Sequence, residues 1–150
     1  MGHAYTNLTY HLVFGTKNRR PLIMPDTRPR LCEYLGGTVR GLGGSTLAVN
    51  CVQDHVHILA RLRQDHKACD VVRDIKANSS KWLRRTLRYG RSFAWQTGYG
   101  AFTVSQSQIR RVATYIAGQE AHHRKNTFED EFIALLKAHG IDFDPRYLWD

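Results

Sequence analysis

Apolar residues in this chain change their spacing in a fixed order, from every second residue to every third or fourth and back again. Period-two stretches rich in β-branched and aromatic residues predict four strands, at residues 5–15, 46–51, 55–62 and 98–105. Helical spacing predicts four helices, at residues 30–42, 71–87, 107–124 and 128–138. The first six elements follow the order β-α-β-β-α-β of the split βαβ arrangement. We therefore predict an α+β, ferredoxin-like antiparallel sheet with two further helices, of which the last is a short C-terminal helix.

The composition predicts one soluble domain for residues 1–150, in which residues 127–150 form the C-terminal helix and an acidic tail. Hydrophobic residues make up 42% and charged residues 23% of the chain, as in ordinary globular proteins. No apolar run approaches the roughly 20 residues that cross a bilayer, and no signal-peptide pattern opens the chain. We therefore expect no membrane partner and a cytoplasmic location. Cys32, Cys51 and Cys69 form no CxxC pair, which argues against a disulfide framework and a zinc-thiolate site.

Two histidines in the third predicted strand are the first candidates for chemistry. His55 and His57 are separated by one apolar residue, so both side chains lie on the same side of the strand. Tyr115 and Gln119 are four residues apart, so on a helix they lie one above the other. The sheet has two helices on one face, and helix 107–124 is the candidate to cover the other face. This docking would bring Tyr115 over the histidines.

Together these residues supply three neutral metal ligands and a phenol. Neutral ligands leave the full charge of a divalent ion available to a phosphate oxygen, and this ligand mixture suits Mg²⁺ or Mn²⁺ in the presence of phosphate. Tyr115 would attack as a phenolate and form a 5′-phosphotyrosine, which a 3′-hydroxyl can reverse. The set therefore favours an enzyme that cuts and rejoins DNA. Taken singly, each motif is also compatible with ordinary packing or with helix surface.

Other polar residues near these motifs have two interpretations each. Asp54 either orients an imidazole as a second-shell acceptor or is a turn residue. His122 and His123 are either additional ligands or cationic residues at a helix end. His11 lies in the middle of the first strand and is interpreted as a satisfied core or sheet-surface histidine.

Positive charge is concentrated in one part of the chain. The net charge is +9, and residues 61–91 carry ten Lys and Arg residues against three Asp. This block predicts a polyanionic partner, although a solvated helix face is the alternative. The predicted DNA contacts are Lys17, Arg19 and Arg20 in the loop after the first strand, and Arg73, Lys76, Lys81, Arg84 and Arg88 on the second helix.

Aromatic residues follow the basic helix, at Phe93, Trp95, Tyr99 and Phe102. Aromatic faces among basic residues are typical of surfaces that stack the bases of single-stranded nucleic acid. We expect Trp95 and Tyr99 to contact DNA and at least two of the four aromatics to lie in the core.

Five stretches of the chain carry a family resemblance: YHLVFGTKNRRPLI, DHVHILARL, VRDIKANSSKWL, WQTGYGAFTVSQS and VATYIAGQEAHH. In that order they resemble the HUH single-tyrosine transposases of bacterial insertion sequences, above all the branch called REP-associated tyrosine transposases. The similarity extends over nearly the whole chain, including its ending FEDEFIALLKAHGIDFDPRYLW. The family's two histidines fall on His55 and His57, its nucleophilic tyrosine on Tyr115 and its third ligand on Gln119.

The resemblance implies a ferredoxin-like fold with an added catalytic helix, a Mg²⁺ or Mn²⁺ ion, and a 5′-phosphotyrosine intermediate. The implied substrate is single-stranded DNA with imperfect hairpins, at element ends or in REP-like repeats, which would make the protein a nucleoid-associated bacterial enzyme. The resemblance leaves open whether a monomer or a homodimer acts, and whether the tyrosine serves its own subunit's site. Domesticated relatives that process repeats without moving themselves look almost the same.

A non-catalytic module that binds single-stranded DNA or RNA is the alternative function. The same topology, basic residues and sheet aromatics serve RNA-recognition domains. Against this alternative, the aromatics fall in no RNP-type motif, and the histidine pair and the Tyr115–Gln119 spacing would have no role.

Overall fold

Residues 2–86 and 92–149 are described by the structure, which is a computed structural model. Arg88, one of the predicted DNA contacts, and the last residue of the predicted helix 71–87 lie outside the described residues.

A four-stranded antiparallel sheet forms the centre of the fold. Its strands are β1 (Leu8–Gly15), β2 (Ser45–Cys51), β3 (His55–Leu62) and β4 (Gly100–Thr103). They lie in the order β2-β3-β1-β4, with β1 and β3 paired along their full length from Leu8↔Leu62 to Gly15↔His55. The predicted ferredoxin-like arrangement is therefore confirmed.

Helices α1 (Arg28–Gly41) and α2 (Ala68–Thr86) cover one face of the sheet. Alternate residues of the central strands point to these helices, because side chains along a strand alternate between its two faces. The resulting core is apolar and is built from Leu12, Phe14, Val56, Ile58, Leu31, Leu35, Val72 and Ile75 among others. The remaining residues of β1 and β3 point to the opposite face, and these include His11, His55 and His57.

The opposite face is covered by the C-terminal third of the chain, in helices α3 (Ile109–Ala117), α4 (Gln119–His122) and α5 (Phe128–Ala138). From α3, Ile116 packs against Leu59, and from α5, Phe128 and Phe132 pack near Val13. The predicted docking of the 107–124 segment on this face is therefore observed.

The predicted helix 107–124 is broken at Gly118, whose backbone angles (φ −90°, ψ 13°) are not helical. Glycine is a poor helix former, so the interruption is inexpensive at this position. In addition, Asn50 Nδ2 of β2 donates hydrogen bonds to the carbonyl oxygens of Ile116 at 2.9 Å and Ala117 at 3.3 Å. The end of α3 is thereby attached to the sheet edge.

Two glycines allow α5 to approach the sheet closely. A Cβ atom at Gly15 of β1 would lie 2.6 Å from Phe128 Cε2, and one at Gly100 of β4 would lie 2.8 Å from Phe132 Cε2. Any larger residue would force the helix away.

Among the described residues, none of the helices is both long and apolar enough to cross a membrane.

Candidate active site

The centre of the site lies between β3 and the covering helices. His55 and His57 project from β3 on the same side and are fully buried, as the period-two pattern predicts. Gln119, the first residue of α4, is also fully buried, and its Oε1 lies 3.2 Å from His55 Nε2. The structure therefore brings together the three residues that the sequence suggests as metal ligands.

Tyr115 lies beside these residues. Its ring stands nearly perpendicular to that of His57, with the centroids 5.8 Å apart. Its hydroxyl donates a hydrogen bond to a carboxylate oxygen of Glu131, which also accepts a hydrogen bond of 2.9 Å from Gln119 Nε2. The candidate nucleophile and the candidate ligands therefore share one carboxylate.

Each strand histidine has a partner at its second ring nitrogen. His55 Nδ1 lies 2.7 Å from Asp54 Oδ1, the contact that the second-shell hypothesis for Asp54 requires. His57 Nδ1 lies 2.7 Å from Nε2 of His11, which is itself buried. These partners hold both rings so that their Nε2 atoms point toward Glu131.

Glu131 was not among the predicted site residues, and His123 was suggested only as either an additional ligand or a cationic residue at a helix end. Glu131 is only 4% exposed, and its Oε1 lies 3.1 Å from His55 Nε2, 2.9 Å from His57 Nε2 and 3.1 Å from His123 Nε2. His122 is less engaged, with its Nε2 3.4 Å from Glu131 Oε2. The signal for Glu131 was its place between Phe128 and Phe132 on the buried stripe of α5, where a carboxylate needs partners.

Electrostatics of the cluster follow from burial and from these hydrogen bonds. Burial alone would raise the pKa of Glu131, but hydrogen bonds from His123, His55 and His57 outweigh it and hold the pKa far below its usual range. Burial and the hydrogen bond to Glu131 raise the pKa of Tyr115 well above its ordinary value. The carboxylate is therefore ionised and the phenol is protonated at neutral pH.

The histidines of the cluster differ in the direction in which their pKa values are shifted. Burial lowers the pKa of His57 to about 4 and that of His11 to about 3, so both are neutral at pH 7. Burial also disfavours protonation of His55, but its hydrogen bonds to Asp54 and Glu131 outweigh this and raise its pKa.

The donor set suits a divalent cation. One ligand atom from each of His55, His57, His123 and Glu131 can be chosen so that all four lie within 4.8 Å of one another. Imidazole nitrogens with an amide or carboxylate oxygen are ordinary ligands of first-row divalent metals.

A family model describing IS200-like transposases matches residues 4–119, which include both strand histidines, Tyr115 and Gln119. The chain belongs to this transposase family. His123 and Glu131 lie beyond the matched residues.

Two solved structures resemble this transposase. One is a Deinococcus radiodurans protein described as a candidate transposase, which is 25% identical, with a TM-score of 0.61 over 79% of this chain and 96% of that one. The other is a REP-associated tyrosine transposase bound to a REP hairpin, which is 17% identical, also with a TM-score of 0.61, over 82% of this chain and 73% of that one. At that identity, the second structure supports the fold alone. No curated protein gives a significant match.

Some of the predicted DNA contacts of the transposase lie along one groove. This groove has a volume of about 390 Å³ and is lined by residues of α2 and of the segment before β4, among them Arg73, Lys76, Arg84 and Tyr99. Tyr99 is 38% exposed, so its ring is accessible. Lys76 Nζ donates to the carbonyl oxygens of three consecutive residues, Gln96, Thr97 and Gly98, at 2.7–3.1 Å.

The structure places most of Trp95 in the core, and its small exposed part lines the same groove. It is 8% exposed, packs edge-on against Phe14 and Phe93, and donates its indole N–H to Ser79 Oγ. Phe93 and Phe102 are also buried, in accord with the expectation that at least two of the four aromatics lie inside.

The other predicted DNA contacts among the described residues lie outside the groove. Lys17, Arg20 and Lys81 are exposed. Arg19 forms an ion pair with Glu129 at 2.7 Å, and its guanidinium lies over the ring of Trp149. Arg19 therefore connects the loop after β1 to α5 and the chain's end.

Proposed function

We propose that this transposase is a metal-dependent single-stranded DNA endonuclease and strand transferase of the HUH tyrosine class. One observation carries the proposal: the phenol of Tyr115 and the Nε2 atoms of His55 and His57 converge on the same buried carboxylate, that of Glu131. A phenol held beside two imidazoles that share a face supports metal-assisted phosphodiester transfer, because the nucleophile and the candidate metal ligands lie at one site.

His55, His57 and Gln119 would hold a Mg²⁺ or Mn²⁺ ion. When bound, such an ion polarises a phosphate oxygen and stabilises negative charge on the leaving oxygen. Asp54 and His11 hold the two imidazoles in orientation through their Nδ1 atoms.

Tyr115 carries the covalent step. Its hydroxyl is oriented by the hydrogen bond to Glu131 and gives up its proton to solvent as the phenolic oxygen attacks. The phenolic oxygen forms a bond to phosphorus while the bond from phosphorus to the 3′-oxygen breaks. The 3′-oxygen leaves with the electron pair and takes a proton from solvent. Attack by another 3′-hydroxyl on the 5′-phosphotyrosine reverses these steps and joins a strand.

The proposed substrate is single-stranded DNA that carries imperfect hairpins, as at element ends or in REP-like repeats. The net charge of +9 and the basic groove along α2 support a nucleic-acid partner, because phosphate contacts dominate the affinity of such complexes. The hairpin in particular is proposed by analogy with the REP-associated tyrosine transposase of the same fold, whose structure contains a REP hairpin. Such a substrate would associate the protein with the nucleoid.

A second basic cleft borders the site itself. It has a volume of about 410 Å³, and its lining includes Asp54, His123, Arg28, Arg124 and Lys125. Arg28, Arg124 and Lys125 offer a phosphate-binding surface to a DNA strand that enters the site. We therefore propose that the DNA backbone approaches the histidines along this cleft.

The test is a covalent adduct on a denaturing gel. The protein is incubated with a hairpin-bearing single-stranded oligonucleotide, with and without Mn²⁺, and compared with its Tyr115→Phe variant. We expect a shifted band that needs both the metal and Tyr115, and unchanged hairpin binding by the variant in a native gel. Tyr147→Phe, at an exposed tyrosine, is the matched control and should form the adduct.

Two results would overturn the proposal. An adduct that persists in Tyr115→Phe would reject the assigned nucleophile. Metal-independent hairpin binding by the unaltered protein with no cleavage of any strand would instead support the non-catalytic binding module.

A further inference from the structure

Residues 120–149 lie beyond the part of the chain that the family model matches, yet they contribute to the proposed metal site the buried carboxylate of Glu131 and the half-buried imidazole of His123. We propose that Glu131 and His123 are themselves ligands of the metal ion, which then has three imidazoles and one carboxylate around it in addition to the amide oxygen of Gln119. This inference rests on the proposed function only in requiring a divalent ion at the histidines.

Distances around Glu131 Oε1 support a shared ion. The Nε2 atoms of His55, His57 and His123 lie 3.1, 2.9 and 3.1 Å from this oxygen. Metal–ligand bonds of about 2.0–2.2 Å place neighbouring ligand atoms about 3 Å apart. These separations therefore suit neighbouring ligands of one ion, and ligand atoms of all four residues lie within 4.8 Å of one another.

The contacts that His123 and His55 make through Nδ1 are independent support for a shared metal ion. His123 Nδ1 lies 2.8 Å from the carbonyl oxygen of Asn126, which can only accept, so this nitrogen carries a hydrogen. His55 Nδ1 lies 2.7 Å from an oxygen of the Asp54 carboxylate and is held in the same way. In their neutral forms both rings therefore direct a bare Nε2 lone pair at Glu131 Oε1.

Lone pairs of two imidazoles and a carboxylate oxygen repel one another unless a positive charge, carried by ring protons or by a metal ion, lies among them. A divalent cation supplies that charge while both rings stay neutral. The arrangement of imidazole Nδ1–H to an acceptor, with Nε2 toward the ion, is the usual one for histidine ligands. Asn126 and Asp54 then have corresponding roles for His123 and His55.

The carboxylate changes the charge of the site. The ligands suggested by the sequence are all neutral, whereas Glu131 brings one negative charge to the ion. Its second oxygen accepts the hydrogen bonds of Tyr115 and Gln119. Glu131 therefore joins the ion to the nucleophile, and α5 becomes part of the metal site rather than only its cover.

The test is direct titration of Mn²⁺ into the full-length protein without DNA. Protein freed of metal by dialysis against EDTA is titrated, and free Mn²⁺ is measured by electron paramagnetic resonance. We expect one bound ion per chain, and at least a tenfold loss of affinity in Glu131→Gln and in His123→Ala. Glu129→Gln removes the same charge from an exposed position on α5 and should change the affinity less than twofold. His57→Ala is the positive control for loss of binding.

Circular dichroism and thermal unfolding in EDTA establish that each variant is folded. If Glu131→Gln does not fold, His123→Ala decides the matter. Unchanged or tighter Mn²⁺ binding by a folded Glu131→Gln or His123→Ala variant would overturn the inference. Because no DNA is present, the result is independent of the Tyr115 adduct. The unaltered protein can fail to form the adduct while the Glu131 and His123 variants still bind Mn²⁺ more weakly. It can also form the adduct while these variants bind Mn²⁺ normally.

Discussion

His11 Nε2 lies 2.7 Å from His57 Nδ1, and the two rings stack with their centroids 5.0 Å apart. The residues come from neighbouring strands of the sheet, where Val13 is the direct partner of His57 and His11 is two residues away on the same face. His11 therefore fixes the ring of His57 from the side opposite Glu131. An orienting partner of this kind matters for metal binding as much as for packing.

Replacement of His11 should weaken metal binding without removing a ligand. We expect His11→Leu to reduce Mn²⁺ affinity about 10- to 100-fold, because partners behind a ligand have effects of this size. His11→Gln retains a polar atom near His57 and should recover much of the affinity. The measurement is the Mn²⁺ titration described above, and equal affinities of the leucine and unaltered proteins would refute the positioning role.

Stability in the absence of metal should fall as the pH decreases from about 6.5 to 4. The lowered pKa values of His57, about 4, and His11, about 3, mean that the unfolded chain binds more protons than the folded chain in this window. The lowered pKa of Glu131 adds a loss of the same sign below its usual value. His55, whose pKa is raised, acts in the opposite direction and contributes stability that is lost as the pH rises through its folded value.

Urea denaturation in EDTA between pH 4.5 and 7.5 measures this dependence. Two buried histidines allow a slope of at most about 2.7 kcal/mol per pH unit, and His11→Leu should make it shallower. A free energy of unfolding that stays constant or increases toward pH 4.5 would contradict the prediction.

Lys76 and Arg73 are both basic residues of α2, but their substitutions should have different effects. Lys76 donates to three backbone carbonyls, and burial lowers its pKa to about 8, so Lys76→Met should cost about 1–3 kcal/mol of stability. Arg73 is exposed, so Arg73→Met should leave stability within about 0.5 kcal/mol. Arg73→Met should instead weaken hairpin binding and reduce its salt dependence by about one phosphate contact.

Urea denaturation and filter binding at several salt concentrations separate these two effects. Equal stability of the two variants would show that the carbonyl contacts of Lys76 contribute nothing measurable.

The site should be assembled within one copy of the chain. Ile116 and Ala117 directly follow Tyr115 at the end of α3, and their carbonyl oxygens accept hydrogen bonds from Asn50 of β2. The nucleophile is therefore held on the sheet of its own chain. A mixture of Tyr115→Phe and His57→Ala proteins should therefore form no covalent adduct with a hairpin oligonucleotide. An adduct in the mixture, at a level above either protein alone, would show exchange of the tyrosine between copies.

The histidine pair and the sheet could be predicted because both depend on local periodicity. Period-two spacing determines which side of β3 His55 and His57 occupy, and the six-element order restricts the topology to few choices. The approach of Tyr115 followed from the need to cover the open face. These inferences need no knowledge of side-chain packing.

The sequence indicates the roles of Glu131 and His123 only in part, because His123 has two interpretations there and Glu131 shows only its place on the apolar stripe of α5. Their place depends on how α5 docks, which Gly15 and Gly100 permit through close contacts that no sequence pattern reveals. In an acidic tail, Glu131 resembles a solvated residue. Trp95 illustrates the same limit, because an aromatic residue that stacks on bases and one that packs in a core have the same composition around them.

The attachment of α3 to β2 through Asn50 also bears on how the protein behaves at low abundance. A reaction centre drawn entirely from one polypeptide needs no encounter between protomers before it can work. Its turnover per molecule should remain constant on dilution, so a cell that holds only a few copies would retain their full capacity.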